Sequence, residues 1–319
     1  MKSHPPLPRV GVSACLLGQP VRYDGGHKRD SFIADTLAEY LELIPVCPEA
    51  AIGLGVPRPT IRLLGEVRRP RLVGALDPSL DVTEKMETFA ERQIDALGDL
   101  CGYILKKDSP SCGMERVKLF SPEGGGAVRK GTGVFAAILM RRRPLLPVEE
   151  EGRLNDPVLR ENFINRVYVM LRWQNLRRQG LNAARLIEFH TAHKYLVMAH
   201  SQAAYRRMGT LLSDLSGGRA DSAAHDYVEE LMNALARRVT RPRHVNVLQH
   251  ILGYLKRRID RDDKAELSAS IEAYRRGEIP LVVPVTLLRH YFRRHHDPYM
   301  EKQVYLNPHP EGLGLRNAI

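Results

Sequence analysis

Apolar and polar positions alternate differently in the two halves of the chain. Short apolar runs bounded by Gly and Pro are strand signals, and apolar residues returning every three or four positions are helix signals. By these criteria "RVGVSA" at 9–14 is a strand, "SFIADTLAEYL" at 31–41 a helix capped by Asp30 or Ser31, and "ELIPVC" at 42–47 a second strand. The segment "PEAAIGLGVPRPTIRLLG" reads as a loop, residues 82–100 as an amphipathic helix begun by Asp81, and "GYILK" at 102–106 as a third strand. "TGVFAAILMRR" at 132–142 suits a helix or a buried strand, and 145–156 a last strand and an exit. Strands alternating with helices predict an α/β, Rossmann-like domain with a mostly parallel sheet over residues 1–150.

From Asp156-Pro157, an Asp cap with Pro at the first helical position, the pattern turns helical. Six helices are expected, over 157–178, 181–215, 222–238, 243–258, 264–277 and 285–295. Residues 151–185 read as a linker or joining helix and 186–319 as an all-α domain. No internal repeat stands out.

Composition fits two ordinary globular domains: 319 residues, 43% hydrophobic and 27% charged. The longest apolar runs, such as "GVFAAILM", fall far short of the roughly 20 residues that span a bilayer, so no membrane anchor is expected. Prolines interrupt the region where a secretory leader needs an apolar core. A cytoplasmic, reducing setting is the expectation, in which four cysteines serve metal binding or chemistry more readily than disulfides. The net charge of +11 suggests a polyanionic partner, and its placement sharpens this. Residues 1–150 carry 21 Lys/Arg against 19 Asp/Glu; residues 151–319 carry 27 against 18.

Cys15, Cys47 and Cys112 each fall at or just past the C-terminal end of an expected strand, the edge of an open α/β sheet where ligands bind. Cys101 precedes its strand, which assigns it to the opposite edge as a small buried hydrophobe. The three are surrounded by small residues, Pro and Gly, which suit loop tips. No Cys-Xaa-Xaa-Cys pair is present, so a structural zinc ribbon is not indicated. Three thiolates leave one metal position open, and in a 4Fe-4S cluster they would leave one iron without a cysteine.

The segments "SACLLG" with "VRYDGGHK", "PVCPEAAIGLGVPRP" and "KKDSPSCG" together resemble the thiouracil desulfidase (TudS) family over residues 8–150. The resemblance implies a 4Fe-4S cluster held by Cys15, Cys47 and Cys112, whose free iron takes sulfur from a thiolated pyrimidine. Residues 185–310, with "FHTAHKYLVMAHS" and "YLNPHP", resemble a helical domain often fused to it. The two-domain layout is similar to that of the RudS-type desulfidases, which implies thiouridine in tRNA as substrate, with 4-thiouridine the expected base.

Exchanging C=S for C=O needs a group to move protons. Glu49, near the cysteines and apolar residues, is the candidate acid or base; its alternative is to satisfy backbone N–H groups at a helix start. Ser109 and Ser111 could orient the base or only shape a turn. Arg22, His27 and Lys28 around Gly25-Gly26 suit a phosphate, and Asp24 a pyrimidine edge, although a plain turn suits the same residues. Glycines 124–126 read as a flexible loop. His190, His193 and His200 share a helix face, where packing or exposure is commoner than metal binding. Basic runs at 206–207, 237–238, 241–243, 256–258 and 293–294, with Tyr205, Tyr254, Tyr291 and Phe292, suit an RNA surface with stacking groups. Free thiouracil bases as substrate, a non-enzymatic iron-sulfur sensor of nucleic acid, and a zinc-stabilised protein are the alternatives. The oligomeric state stays open.

Overall fold

The structure is a computed structural model that describes residues 6–213, 215 and 220–317. The chain divides into two compact units, Met1–Asn155 and Asp156–Ile319.

In the first unit, strand β1 (Arg9–Ser13) pairs in parallel with β2 (Glu42–Val46). The hairpin β3 (Ile61–Glu66) and β4 (Arg69–Gly74) follows, then helix α1 (Thr83–Ala96) and strand β5 (Gly102–Leu105). Strands β6 (Val117–Phe120) and β7 (Val128–Gly131), helix α2 (Val134–Arg142) and β8 (Val148–Glu150) complete the unit. The sheet β2-β1-β5-β8 is wholly parallel, as the α/β pattern required. A second sheet, β4-β3-β6-β7, was not expected; β3 and β4 arise from "TIRLLG" and the arginine-rich "RPRLVG" beyond it. Leu63, Leu72, Met86, Ile94, Tyr103 and Phe135 meet in a shared core, with Tyr103 and Phe135 ring centres 5.8 Å apart. The ambiguous run at 132–142 is a helix, whereas residues 32–39 make a π turn and a 3-10 turn in place of the expected α-helix. Asp30 does cap it, accepting from the Ile33 N–H at 3.0 Å.

The second unit is helical: α3 (Pro157–Arg178), α4 (Ala183–His200), α5 (Gln202–Leu211), α6 (Ala220–Leu235) and α7 (Arg241–Gly253). Helices α8 (Arg261–Arg276), α9 (Val282–Arg294) and α10 (Pro298–Glu301) follow. Asp156 caps α3 by accepting from Val158 N–H and Leu159 N–H, with Pro157 beside it. Helix α3 falls within this unit, where Trp173 packs on Phe189 and Tyr227 with centres 5.5 and 5.8 Å apart. The single helix expected over 181–215 is two: Ser201, with extended backbone, ends α4 and caps α5 through the Ala204 N–H. Position 214 of that expected helix lies outside the described residues. Among the described residues no helix is long and apolar enough to cross a membrane.

Candidate active site

The loops that leave β2, β1 and β5, three adjacent strands, carry Cys47, Cys15 and Cys112. They line one cavity of about 320 Å³ together with Glu49, Ser109, Arg22, Lys28, Tyr23 and Arg58. That volume is at the lower end of the roughly 300–1,000 Å³ usual for small-ligand sites. Cys101 is at the other edge of the sheet, 1% exposed, its N–H donating to the Arg9 carbonyl at 2.7 Å.

Local hydrogen bonds shape the loops of Cys15 and Cys112. The Cys15 carbonyl accepts from Gly18 N–H at 3.3 Å and Lys28 N–H at 3.0 Å, folding "RYDGGHK" back over the first loop. Gly18 is left-handed (φ 89°), the conformation glycine adopts without strain. The Ser109 hydroxyl accepts from Ser111 N–H (3.2 Å) and Cys112 N–H (3.1 Å), which shapes the tip of "SPSCG". The start of α2 closes on that tip: a Cβ at Gly133 would stand 2.5 Å from the Ser111 carbonyl, so only glycine fits.

Glu49 does not sit at an apolar wall. Its Oε2 accepts from Arg58 Nη2 at 2.7 Å and Nε at 3.0 Å, while Oε1 accepts from the Ser111 hydroxyl at 2.9 Å and the Ser109 hydroxyl at 3.5 Å. Arg58 in turn donates to the carbonyls of Val21 (2.9 Å) and Gly55 (3.1 Å). Its side chain is 3% exposed, and sequence reasoning passed over it; an arginine between prolines in "GVPRP" was the available signal. Also unforeseen are Tyr23, which lines the cavity with 42% of its surface exposed, and Lys106, whose Nζ pairs with Glu151. Arg22 and Lys28 line the cavity. Asp24 does not; its carboxylate accepts from Gly26 N–H at 3.0 Å, a bond that holds it below the usual carboxylate range.

Burial pushes the Cys15 thiol up to about 11, against the pull of Lys106 and Arg22. Burial likewise raises Cys47, and raises Cys112 further. A cation bound among such thiols reverses this balance and takes them as thiolates. Among the described residues no three His, Cys, Asp or Glu side chains converge closely enough to share one metal ion. Three soft sulfur donors spread around one cavity, with Arg22 and Lys28 also on its wall, suit a multi-atom iron-sulfur group better than a single zinc.

In the helical unit, His193 and His200 are packed: their Nδ1–H groups donate to the Phe189 and Arg237 carbonyls at 2.7 and 2.6 Å. Tyr291 and Phe292, expected as stacking groups, are each 4% exposed, because they fall on the inner face of α9. Tyr205 and Tyr254 stay at the surface.

Residues 10–151 match the family model described as 2-thiouracil desulfurase, and residues 194–310 match one described as a protein of unknown function, DUF1722. A solved structure described as a 4Fe-4S-dependent thiouracil desulfidase, TudS, is 35% identical, covers 47% of this chain and 94% of its own, and has a TM-score of 0.39. The uncharacterized protein YbgA of Escherichia coli (strain K12) is 30% identical over 159 residues, which make up 50% of this chain and 94% of YbgA. The chain therefore belongs to the family of YbgA and carries a thiouracil desulfidase-type domain fused to a second, DUF1722 domain.

Proposed function

We propose that this chain is a 4Fe-4S-dependent desulfidase that converts thiouridine in tRNA, chiefly 4-thiouridine, to uridine. The observation that carries the reading is the meeting of Cys15, Cys47 and Cys112 around one cavity with Glu49 and Ser109 on its wall. When held by the three cysteines, the cluster would supply a thiophilic iron with no cysteine of its own. The overall exchange, C=S plus water giving C=O plus hydrogen sulfide, needs no electrons, only water and proton movement.

The chain's own groups supply the rest. Glu49 Oε1, already an acceptor for two hydroxyls, is placed to take a proton from water and return one, while Arg58 fixes the carboxylate's orientation. Tyr23 offers an exposed ring at the cavity for the pyrimidine to stack on, backed by the Arg22 guanidinium 5.3 Å from its centre. Arg22 and Lys28 suit the phosphate next to the target base. A base buried in folded RNA must first be unstacked to reach the cavity. The basic excess of residues 151–319 supports tRNA as the polyanion that delivers it.

The test is mass spectrometry of nucleosides from bulk tRNA incubated with anaerobically prepared protein. The expected result is conversion of 4-thiouridine to uridine with sulfide released, brown protein holding about four irons, and loss of both colour and turnover in C15A, C47A and C112A. Cluster-loaded protein that leaves every tRNA thiouridine intact sinks the tRNA reading, and turnover of thiouracil alone replaces it with the base as substrate.

A further inference from the structure

Lys194 of α4 lies between two aromatic faces: its Nζ is 4.7 Å from the ring centre of Tyr195 and 4.6 Å from that of Tyr299. Tyr254, just past α7, stacks on Tyr299 with centres 5.5 Å apart and planes 21° from parallel. Tyr205 of α5 stacks on His190 at 5.9 Å with planes 7° apart. Tertiary contacts build this group from distant segments. Val304 N–H donates to the Ala192 carbonyl at 2.9 Å and Lys302 Nζ pairs with Glu188 at 2.9 Å, which lays α10 along α4. Arg258 pairs with Asp297 at 3.0 Å and so ties the turn after α7 to the start of α10.

Tyr195 is core, but the group as a whole opens to solvent. Tyr254 keeps 38% of its surface exposed, and Tyr205 and Tyr299 are half-buried. Beside them in the chain stand Arg206, Lys256 and Arg257, all exposed. These three and Lys194 have no carboxylate partner among the described residues. Glu188 is paired with Lys302 and Asp297 with Arg258, while Glu301 hydrogen-bonds His296. Four cations without a carboxylate partner against one carboxylate without a Lys or Arg partner leave the charge around the tyrosines positive. Aromatic faces interleaved with free cations match a strand that alternates planar bases with phosphates.

We propose that Tyr205, Tyr254 and Tyr299, with Lys194, Arg206, Lys256 and Arg257, form an RNA contact of the helical unit. An unpaired nucleobase stacks on Tyr254 while the cations take adjacent phosphates. This rests on the reading that tRNA is the substrate. It adds a binding site separate from the cysteine cavity, one that serves affinity and leaves the chemistry alone.

The experiment measures tRNA binding to the full chain by fluorescence anisotropy across a salt series, beside turnover of free thiouracil. Y254A should weaken binding about tenfold or more, as loss of one base–aromatic stack does, and Y254F should restore it, since the ring and not the hydroxyl does the stacking. K256A/R257A, which changes only exposed side chains, should lower the slope of log K against log salt by roughly 1 to 2. Turnover of free thiouracil should stay at the wild-type level in all three variants. Wild-type protein that shows no salt-dependent tRNA binding overturns the tRNA reading itself. Salt-dependent wild-type binding with Y254A and K256A/R257A both at wild-type affinity overturns this contact alone.

Discussion

Arg58 decides what Glu49 can be. A carboxylate against an apolar wall would be a candidate acid, but this one is clamped on one oxygen by a buried guanidinium and carries its two hydroxyl contacts on the other. On the proposed function the two oxygens would divide the work, Oε2 for orientation and Oε1 for the proton. Replacing Arg58 by alanine leaves Glu49 and two carbonyls without their donor, and removing one partner of a buried pair costs about 3 kcal/mol or more. R58A is expected to lower the melting temperature and abolish turnover together. E49Q should behave differently: the amide oxygen can still accept from Arg58 although the charge is gone, so it lowers the melting temperature less than R58A, retains the cluster's visible absorption, and lowers kcat by a factor on the order of 10² to 10⁴. Wild-type kcat in E49Q would refute proton transfer by Glu49. The cysteines, Glu49 and Ser109 were legible because their neighbours in sequence already placed them on strand-edge loops. Arg58, Tyr23 and Lys106 were not, because what gives each its place is a partner remote in the chain, such as Glu49, Arg58 N–H on the Tyr23 carbonyl, or Glu151.

Among the elements, periodicity found the parallel strands and most of the helices, but neither the turns at 32–39, nor the break at Ser201, nor the second sheet. Strands β3 and β4 carry Arg62, Arg69, Pro70 and Arg71, and such residues read as loop until the opposite face, Leu63 and Leu72, is seen packed in the core. The helical unit stores a pH dependence in its packed histidines. Burial lowers His193 to about 3 and His200 to about 4, so the fold holds both neutral. A group depressed in the folded state contributes nothing to pH sensitivity above its unfolded value near 6.5. As pH falls below that value the unfolded chain gains protons that the folded chain refuses, and stability declines towards pH 4. At pH 5 the loss is on the order of 1–2 kcal/mol per histidine. Thermal melts of the full chain should show the decline between pH 6.5 and 5, and H193Q should flatten part of it. An unchanged slope in H193Q would show that the acid sensitivity comes from other groups.

Over the whole molecule, the basic excess is concentrated in the residues that follow Glu150, whereas the first 150 residues are almost balanced. If those charges hold tRNA phosphates, turnover of tRNA should fall steeply as salt rises from roughly 50 to 200 mM, while turnover of free thiouracil changes little. Equal salt responses for both substrates would detach the basic residues from substrate capture. The four cysteines show how the two levels of information combine. Their order along the chain separates Cys101 from the other three, but a shared cavity exists only because β2, β1 and β5 are neighbours in the sheet.

Residue order alone specifies the two-part organisation, the parallel α/β character of the first part, most of the helices of the second and the candidate sulfur ligands. Each of these is written in local spacing: strand period, helix period, caps, and loop residues around a thiol. The three-dimensional packing alone shows that Glu49 faces Arg58, that Tyr291 and Phe292 are core, and that Tyr254 meets Tyr299 beside Lys194. These are contacts between residues far apart in the chain, and which face of a helix or loop is buried depends on what the rest of the fold brings against it.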